Sequence, residues 1–247
     1  MDGVALYRKT LAAQPDRSVR ISSIGILTNL AALLKSRPDV HSPLSGLELV
    51  RQKVELLAIM GGRFEGPGGS HSNGPSCNTC GGGFNMNNRR TASAASGYVA
   101  AHWPAASKII WLGAEVGLAV QSGGLEFQKC AVAEACKTKP WTEQCDPCAA
   151  ALITYEKAPD KSRFSWDPLT TLVAVRGAAA GSTTECTGCD TVKGCCDGYN
   201  TIDAANGNNT WIVGPKTNQT FLILDDAEKA GAAIDELLCR APTLRAH

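Results

Sequence analysis

Eleven cysteines carry the densest reactive chemistry in this 247-residue chain. They fall close together at Cys77/Cys80, Cys130/Cys136, Cys145/Cys148, Cys186/Cys189 and Cys195/Cys196, with Cys239 apart. Cys-x-x-Cys pairs can hold zinc, but a zinc ribbon needs two such pairs at a regular, short separation. Here the pairs lie far apart in the chain, which favours disulfides. None of them opens a helix directly after a strand, as a redox-active dithiol does. An odd count leaves one thiol free or intermolecular. Two acceptor triplets for N-glycosylation, Asn208-Asn209-Thr210 and Asn218-Gln219-Thr220, fit the same oxidising setting. The four histidines, His41, His71, His102 and His247, stand in no catalytic spacing. The glycine runs at 66–69 and 81–83 lack the Lys-Ser/Thr that completes a phosphate loop. Asp167 precedes Pro168, a pair that opens a helix, with the aspartate suited to capping it.

The bulk composition narrows the class. At 44% hydrophobic and 19% charged the chain is globular in composition, and its net charge of +1 with no basic block argues against nucleic acid as a partner. No run approaches 18 apolar residues, so no membrane span is predicted. Cysteine richness and the glycosylation triplets point to an extracellular or secretory-pathway location. The first 14 residues are amphipathic and lack the apolar centre of a secretion signal, which predicts a natural start upstream of Met1.

The elements that must position the polar residues alternate between strand and helix. Residues 19–24 read as a short buried strand, Gly25 permits a sharp turn, and Thr28 or Asn29 caps a helix from Leu30 that Pro38 stops. A helix is predicted over 4–13, with Val4, Leu6, Leu11 and Ala12 partly inward. Residues 47–57 read as an amphipathic approach to a buried strand at 54–60. A helix at 91–102, a strand at 108–112, and either a strand or a helix start at 116–120 follow. Helical pieces are predicted at 127–135 and 148–155, and a helix from Asp167 to about residue 180. Residues 210–213 and 220–224 alternate like paired strands, and 225–238 is an amphipathic terminal helix. The expected architecture is α/β: one domain over 1–247, a mostly parallel sheet flanked by helices, with cysteine-rich insertions at about 66–83, 128–148 and 181–209. In such a sheet ligands bind beyond the carboxyl ends of the strands, where residues 25–29 would lie.

Three segments in this order resemble the nucleoside hydrolases, the calcium-dependent N-ribohydrolases. Gly25-Ile26-Leu27-Thr28-Asn29-Leu30-Ala31 is similar to that family's G-P-L-T-N-[IL]-A. Ile59-Met60-Gly61-Gly62, followed at a distance by Phe84-Asn85, resembles M-G-G … E-F-N. Trp166-Asp167-Pro168 resembles the [HW]-D-P that opens a late helix. The tail from Asn209 to Pro242 is similar to the closing hairpin and helix of extended members. The resemblance implies a Rossmann-like fold and hydrolysis of the N-glycosidic bond of purine ribonucleosides. That reaction passes through an oxocarbenium-like sugar and needs an activated water. It further implies Ca2+ held by Asp167 and the main-chain carbonyl of Ile24. Asn85, and more weakly Asn73, would bond the ribose, Met60 would line the sugar pocket, and Trp166 would stack on the base. A nucleoside is the expected substrate, and a homo-oligomer or partner chain is compatible with it.

The sequence also departs from that pattern. Nothing in it matches the family's N-terminal D-x-D-P-G-x-D-D, which supplies most calcium ligands and the general base. Gly83 stands where a glutamate precedes the phenylalanine, and Arg89-Arg90-Thr91-Ala92-Ser93 replaces an acidic run. One carboxylate cannot satisfy a cation that wants about six to eight oxygens. The expectation is therefore a nucleoside hydrolase-like protein with impaired activity, or a non-catalytic structural or binding protein derived from that fold.

Overall fold

The computed structural model describes residues 2–64, 79, 89–125, 130, 146–158, 160–190 and 193–240. The first insertion, apart from Thr79, and most of the second lie outside these residues, as does the helix expected at 127–135. The expected α/β architecture is present. Strands β1 (Val19–Ser23), β2 (Val54–Met60), β3 (Lys108–Leu112), β6 (Thr183–Glu185) and β11 (Gln219–Leu224) form one sheet in the order β1-β2-β3-β11-β6. The first four strands are parallel and β6 closes the edge antiparallel to β11.

Strand pleating divides the core between the two faces. Leu57, Ile59, Ile109, Trp111 and Phe221 point to one side, while Leu56, Ile110, Leu112 and Leu222 point to the other. Both faces are covered, which is why β2 and β3 read as continuous apolar runs without alternation. Helices α1 (Gly3–Ala12), α2 (Thr28–Lys35), α3 (Gly46–Lys53) and α4 (Arg89–His102) cover the first side. Helices α5 (Ala114–Ala119), α7 (Trp166–Arg176) and α8 (Ala227–Leu238) cover the second. Between them, β4 (Gln121–Gly123) pairs with β5 (Ser162–Phe164), and α6 (Pro147–Glu156) lies between those two strands in the chain.

Several local expectations are corrected. Helix α2 begins at Thr28, so Thr28 and Asn29 lie in its first turn; its N-cap is Leu27, with no side-chain cap bond. Buried Leu27 docks the turn by packing instead of by hydrogen bonding. The stretch before β2 is helix α3, started by a capping box in which Ser45 and Glu48 satisfy each other's backbone N–H groups. Residues 114–119 are helical, with Gly113 at the N-cap, so the open question there resolves to a helix followed by a strand. Leu6 of α1 is exposed and Arg8 is buried in its place.

The two C-terminal strands predicted to pair do not pair. β10 (Asn209–Val213) joins β9 (Gly198–Ile202) in a hairpin, whereas β11 enters the central sheet beside β3. Alternation marks a strand with one solvated face but does not name its partner. The described residues of the third insertion include one strand of this hairpin. They also include β7 (Cys189–Asp190) and β8 (Cys195–Cys196), cross-linked as Cys186–Cys195 and Cys189–Cys196. A third disulfide, Cys130–Cys239, ties in the cysteine that stood alone in the sequence, and Cys148 is a free thiol. Such cross-links persist in oxidising environments. Among the described residues no helix is long and apolar enough to cross a membrane.

Candidate functional site at the carboxyl ends of the strands

β1 ends at Ser23, and the chain turns through Ile24 and Gly25 into α2. Helix α7 packs against β1 and β2, and Ser22 Oγ and Thr171 Oγ1 share a hydrogen bond of 3.0 Å beside this turn. Ile24 and Asp167, distant in sequence, thereby line one cleft of about 470 Å3. Pro168, Leu172 and Val175 of α7, Ile234, Leu237 and Leu238 of α8, and Cys148 of α6 complete most of its wall. Thr171 and Arg176 add polar groups. The cleft is otherwise aliphatic.

The electrostatics follow from that lining. Partial burial pushes the Asp167 carboxyl above the ordinary aspartate range. Burial first, and then the Asp146 carboxylate, push the Cys148 thiol up as well, so it is a poor nucleophile at neutral pH. Asp167 occupies the second helical position of α7 and Ser165 is the N-cap residue, without a side-chain cap bond. The capping role suggested by Asp167-Pro168 is thus not the arrangement found.

The donor set can be tested against a hard cation. The cleft offers one carboxyl and the Ile24 turn, whereas calcium takes six to eight oxygens. Among the described residues no group of three or more His, Cys, Asp or Glu side chains is placed to hold a metal. The described donors fall short of a calcium coordination shell.

The remaining sequence-predicted residues are dispersed. Met60 ends β2 and is buried. Trp166 is half-buried against α5: its indole N–H donates to the Ala114 carbonyl at 3.0 Å, and its ring lies 5.2 Å from that of Phe164. Neither lines the cleft of Ile24 and Asp167. Asn73 and Asn85 lie outside the described residues.

Trp166 is seated by close contact with Gly117, where an added Cβ would come within 2.1 Å of its Cδ1 and 2.6 Å of its Cα. Gly117→Ala is expected to destabilise the fold by about 2 kcal/mol through overpacking. Helix propensity alone would instead favour alanine by about 1 kcal/mol. The sign of the shift in a denaturant midpoint decides between them.

Two polar features had no signal in the sequence. Glu115, at the carboxyl end of β3, accepts the Phe64 N–H at 3.3 Å, which places a second carboxylate near the strand ends as a backbone strut. Asn209 accepts the Arg63 N–H at 2.9 Å and donates to the Arg63 carbonyl and Asn200 Oδ1, fastening the β9–β10 hairpin to the loop after β2. Phe64 then stacks on Phe221 with ring centroids 4.9 Å apart, and the Trp211 ring meets both edge-on.

Comparison with known proteins places this architecture. No family model and no curated protein matches the chain. Solved structures do. A plant nucleoside hydrolase, PpNRh1, superposes with a TM-score of 0.52 at 15% identity, over 96% of this chain and 66% of its own. The purine-preferring ribonucleoside hydrolase from Gardnerella vaginalis gives 0.54 at 15% identity, over 97% and 67%. The type III effector protein XopQ, solved with adenosine diphosphate ribose, gives 0.50 at 16% identity, over 97% and 66%. The fold is that of the nucleoside hydrolases and of effectors built on the same scaffold. The chain spans about two thirds of the length of the proteins it superposes on.

Proposed function

We propose that this protein derives from purine-leaning N-ribohydrolases and acts as a non-catalytic binding protein on their fold, with nucleoside hydrolysis as the ancestral activity. The observation that carries this reading is the cleft beside the β1–α2 turn, where among the described residues Asp167 is the one carboxyl and most of the wall is aliphatic. An oxocarbenium-like transition state needs negative charge and an activated water, and this lining favours neither. A nucleoside or an ADP-ribose-like molecule is the ligand class to expect, since XopQ carries the latter on the same scaffold. Three disulfides among the described residues support a secretory or extracellular location.

Calorimetry with inosine and with ADP-ribose, together with an assay for hypoxanthine release, tests the reading. Heat of binding for one ligand, unaffected by Ca2+ and without base release, is expected. Calcium-dependent release of hypoxanthine that disappears in Asp167→Asn would establish the hydrolase instead. Absence of heat with both ligands would remove the binding role.

A further inference from the structure

The two glycosylation triplets are chemically equivalent in the sequence, and the fold makes them unequal. Asn208 lies at the foot of β10, where residues 203–208 form the tip of the β9–β10 hairpin. The tip is held by backbone groups and by its own polar side chains. Asp203 N–H donates to the Asn208 carbonyl at 2.8 Å, and Asn208 N–H donates to Asn206 Oδ1 at 2.8 Å. The middle residue of the triplet, Asn209, is buried, with its amide on Arg63 and Asn200. Side chains alternate along a strand, so Thr210 faces away from Asn209, and Asn208, just before the strand, is partly exposed. Thr210 is exposed, and no hydrogen bond is made by the Asn208 side-chain amide among the described residues.

Asn218 is in the reverse situation. Its amide nitrogen donates to the Pro104 carbonyl at 3.2 Å and to the Ser107 carbonyl at 2.7 Å, which occupies both hydrogens. Its own carbonyl accepts the Ile109 N–H at 2.8 Å, at the entry of β3 into the sheet. The hydroxyl of Thr220 is buried and donates to Glu185 Oε2. A sugar on this nitrogen would replace one donor hydrogen and force a bulky polar group between β11 and the 104–107 turn.

We propose that Asn208 is an N-glycan acceptor and that Asn218 stays unmodified in the folded protein. The transfer is balanced without redox chemistry. The Asn208 amide nitrogen bonds to the anomeric carbon of an oligosaccharide carried on a polyprenyl diphosphate. The bond from that carbon to the diphosphate breaks, the lipid diphosphate leaves, and the amide gives one proton to a base of the transferase. The product places a hydrophilic chain on the hairpin tip, away from the sheet.

The test is expression of the full chain in a eukaryotic secretory host behind a heterologous leader, so that the outcome is independent of the chain's natural route and of its ligand. Peptide N-glycosidase treatment in heavy-oxygen water converts a glycosylated asparagine to labelled aspartate, which peptide mapping locates. The expected result is one glycan per secreted chain, labelled at position 208. Thr210→Val, which keeps a β-branched residue on the exposed face, and Asn208→Gln should each abolish the mobility shift. A label at position 218, a shift that survives both substitutions, or an unmodified secreted chain would overturn the proposal.

Discussion

Replacing Cys130 and Cys239 together by serine is expected to destabilise the protein by about 4–5 kcal/mol, the loop-closure entropy for a cross-link of this span. The two cysteines are separated by 109 residues, by far the widest closure among the described disulfides; the others span 9 and 7. Entropy lost from the unfolded chain grows with loop length, so this bond outweighs the two local ones. Its position adds a packing consequence. Cys130 and Cys239 lie against Ala149, Ala150 and Leu238, where α6 meets the end of α8. Leu237 and Leu238 are also walls of the cleft. The double variant should therefore unfold at lower denaturant and bind cleft ligands more weakly, as measured by chemical unfolding without reductant and by calorimetry. Superimposable unfolding curves would show that this bond does not form in the folded protein.

The second large effect is expected at Arg8. Its side chain is 2% exposed, and the guanidinium pairs with Asp39 at 2.8 Å. It also donates to Ser36 Oγ and to the carbonyls of Ser42 and Leu44, at 2.9, 3.0 and 2.8 Å. Arg8 thus holds the connection between α2 and α3 against α1. Arg8→Met keeps much of the volume and leaves two carbonyls without their donor, at a cost of about 3 kcal/mol.

The same pair makes stability depend on acid. Hydrogen bonding to Arg8, followed by the His41 and Ser42 backbone N–H groups, lowers the Asp39 pKa from 3.8 to about 2. A carboxyl depressed in the folded state contributes stability above its unfolded pKa and loses it as pH falls through the folded value. The contribution should be complete above about pH 4 and fade toward about pH 2. Unfolding midpoints measured over that window should slope for the parent protein and flatten in Arg8→Met. Equal slopes would refute the assignment.

Some of this fold was legible from local chemistry. The runs at 54–60 and 108–112 could only be strands buried on both faces, and they are. The amphipathic spacing over 225–238 marked the terminal helix, and α8 buries Ala230 and Ile234 there. Arg8 was not legible, because a lone arginine on an amphipathic helix ordinarily faces water. Its partners lie 28 to 36 residues away, in a connection with no periodicity of its own. The pairing of β10 was hidden for a related reason: β9 sits within a cysteine-rich stretch whose composition resembles loop.

The candidate site divides in the same way. Residue types in the Gly25–Ala31 and Trp166–Pro168 segments were enough to associate the chain with a fold that superposition then supported. The resemblance already placed Ile24 and Asp167 at one site; only the tertiary structure surrounded them with the aliphatic side chains of α7 and α8 and turned Trp166 toward α5. Periodicity and turn chemistry act within a few residues, so the sequence alone determined the buried strands at 54–60 and 108–112, the helices beside them and the shared outline of an α/β sheet. What surrounds a carboxyl depends on which faces of α7 and α8 meet, and that is settled by packing across the whole chain. The aliphatic character of the Asp167 cleft belongs to that second kind of information.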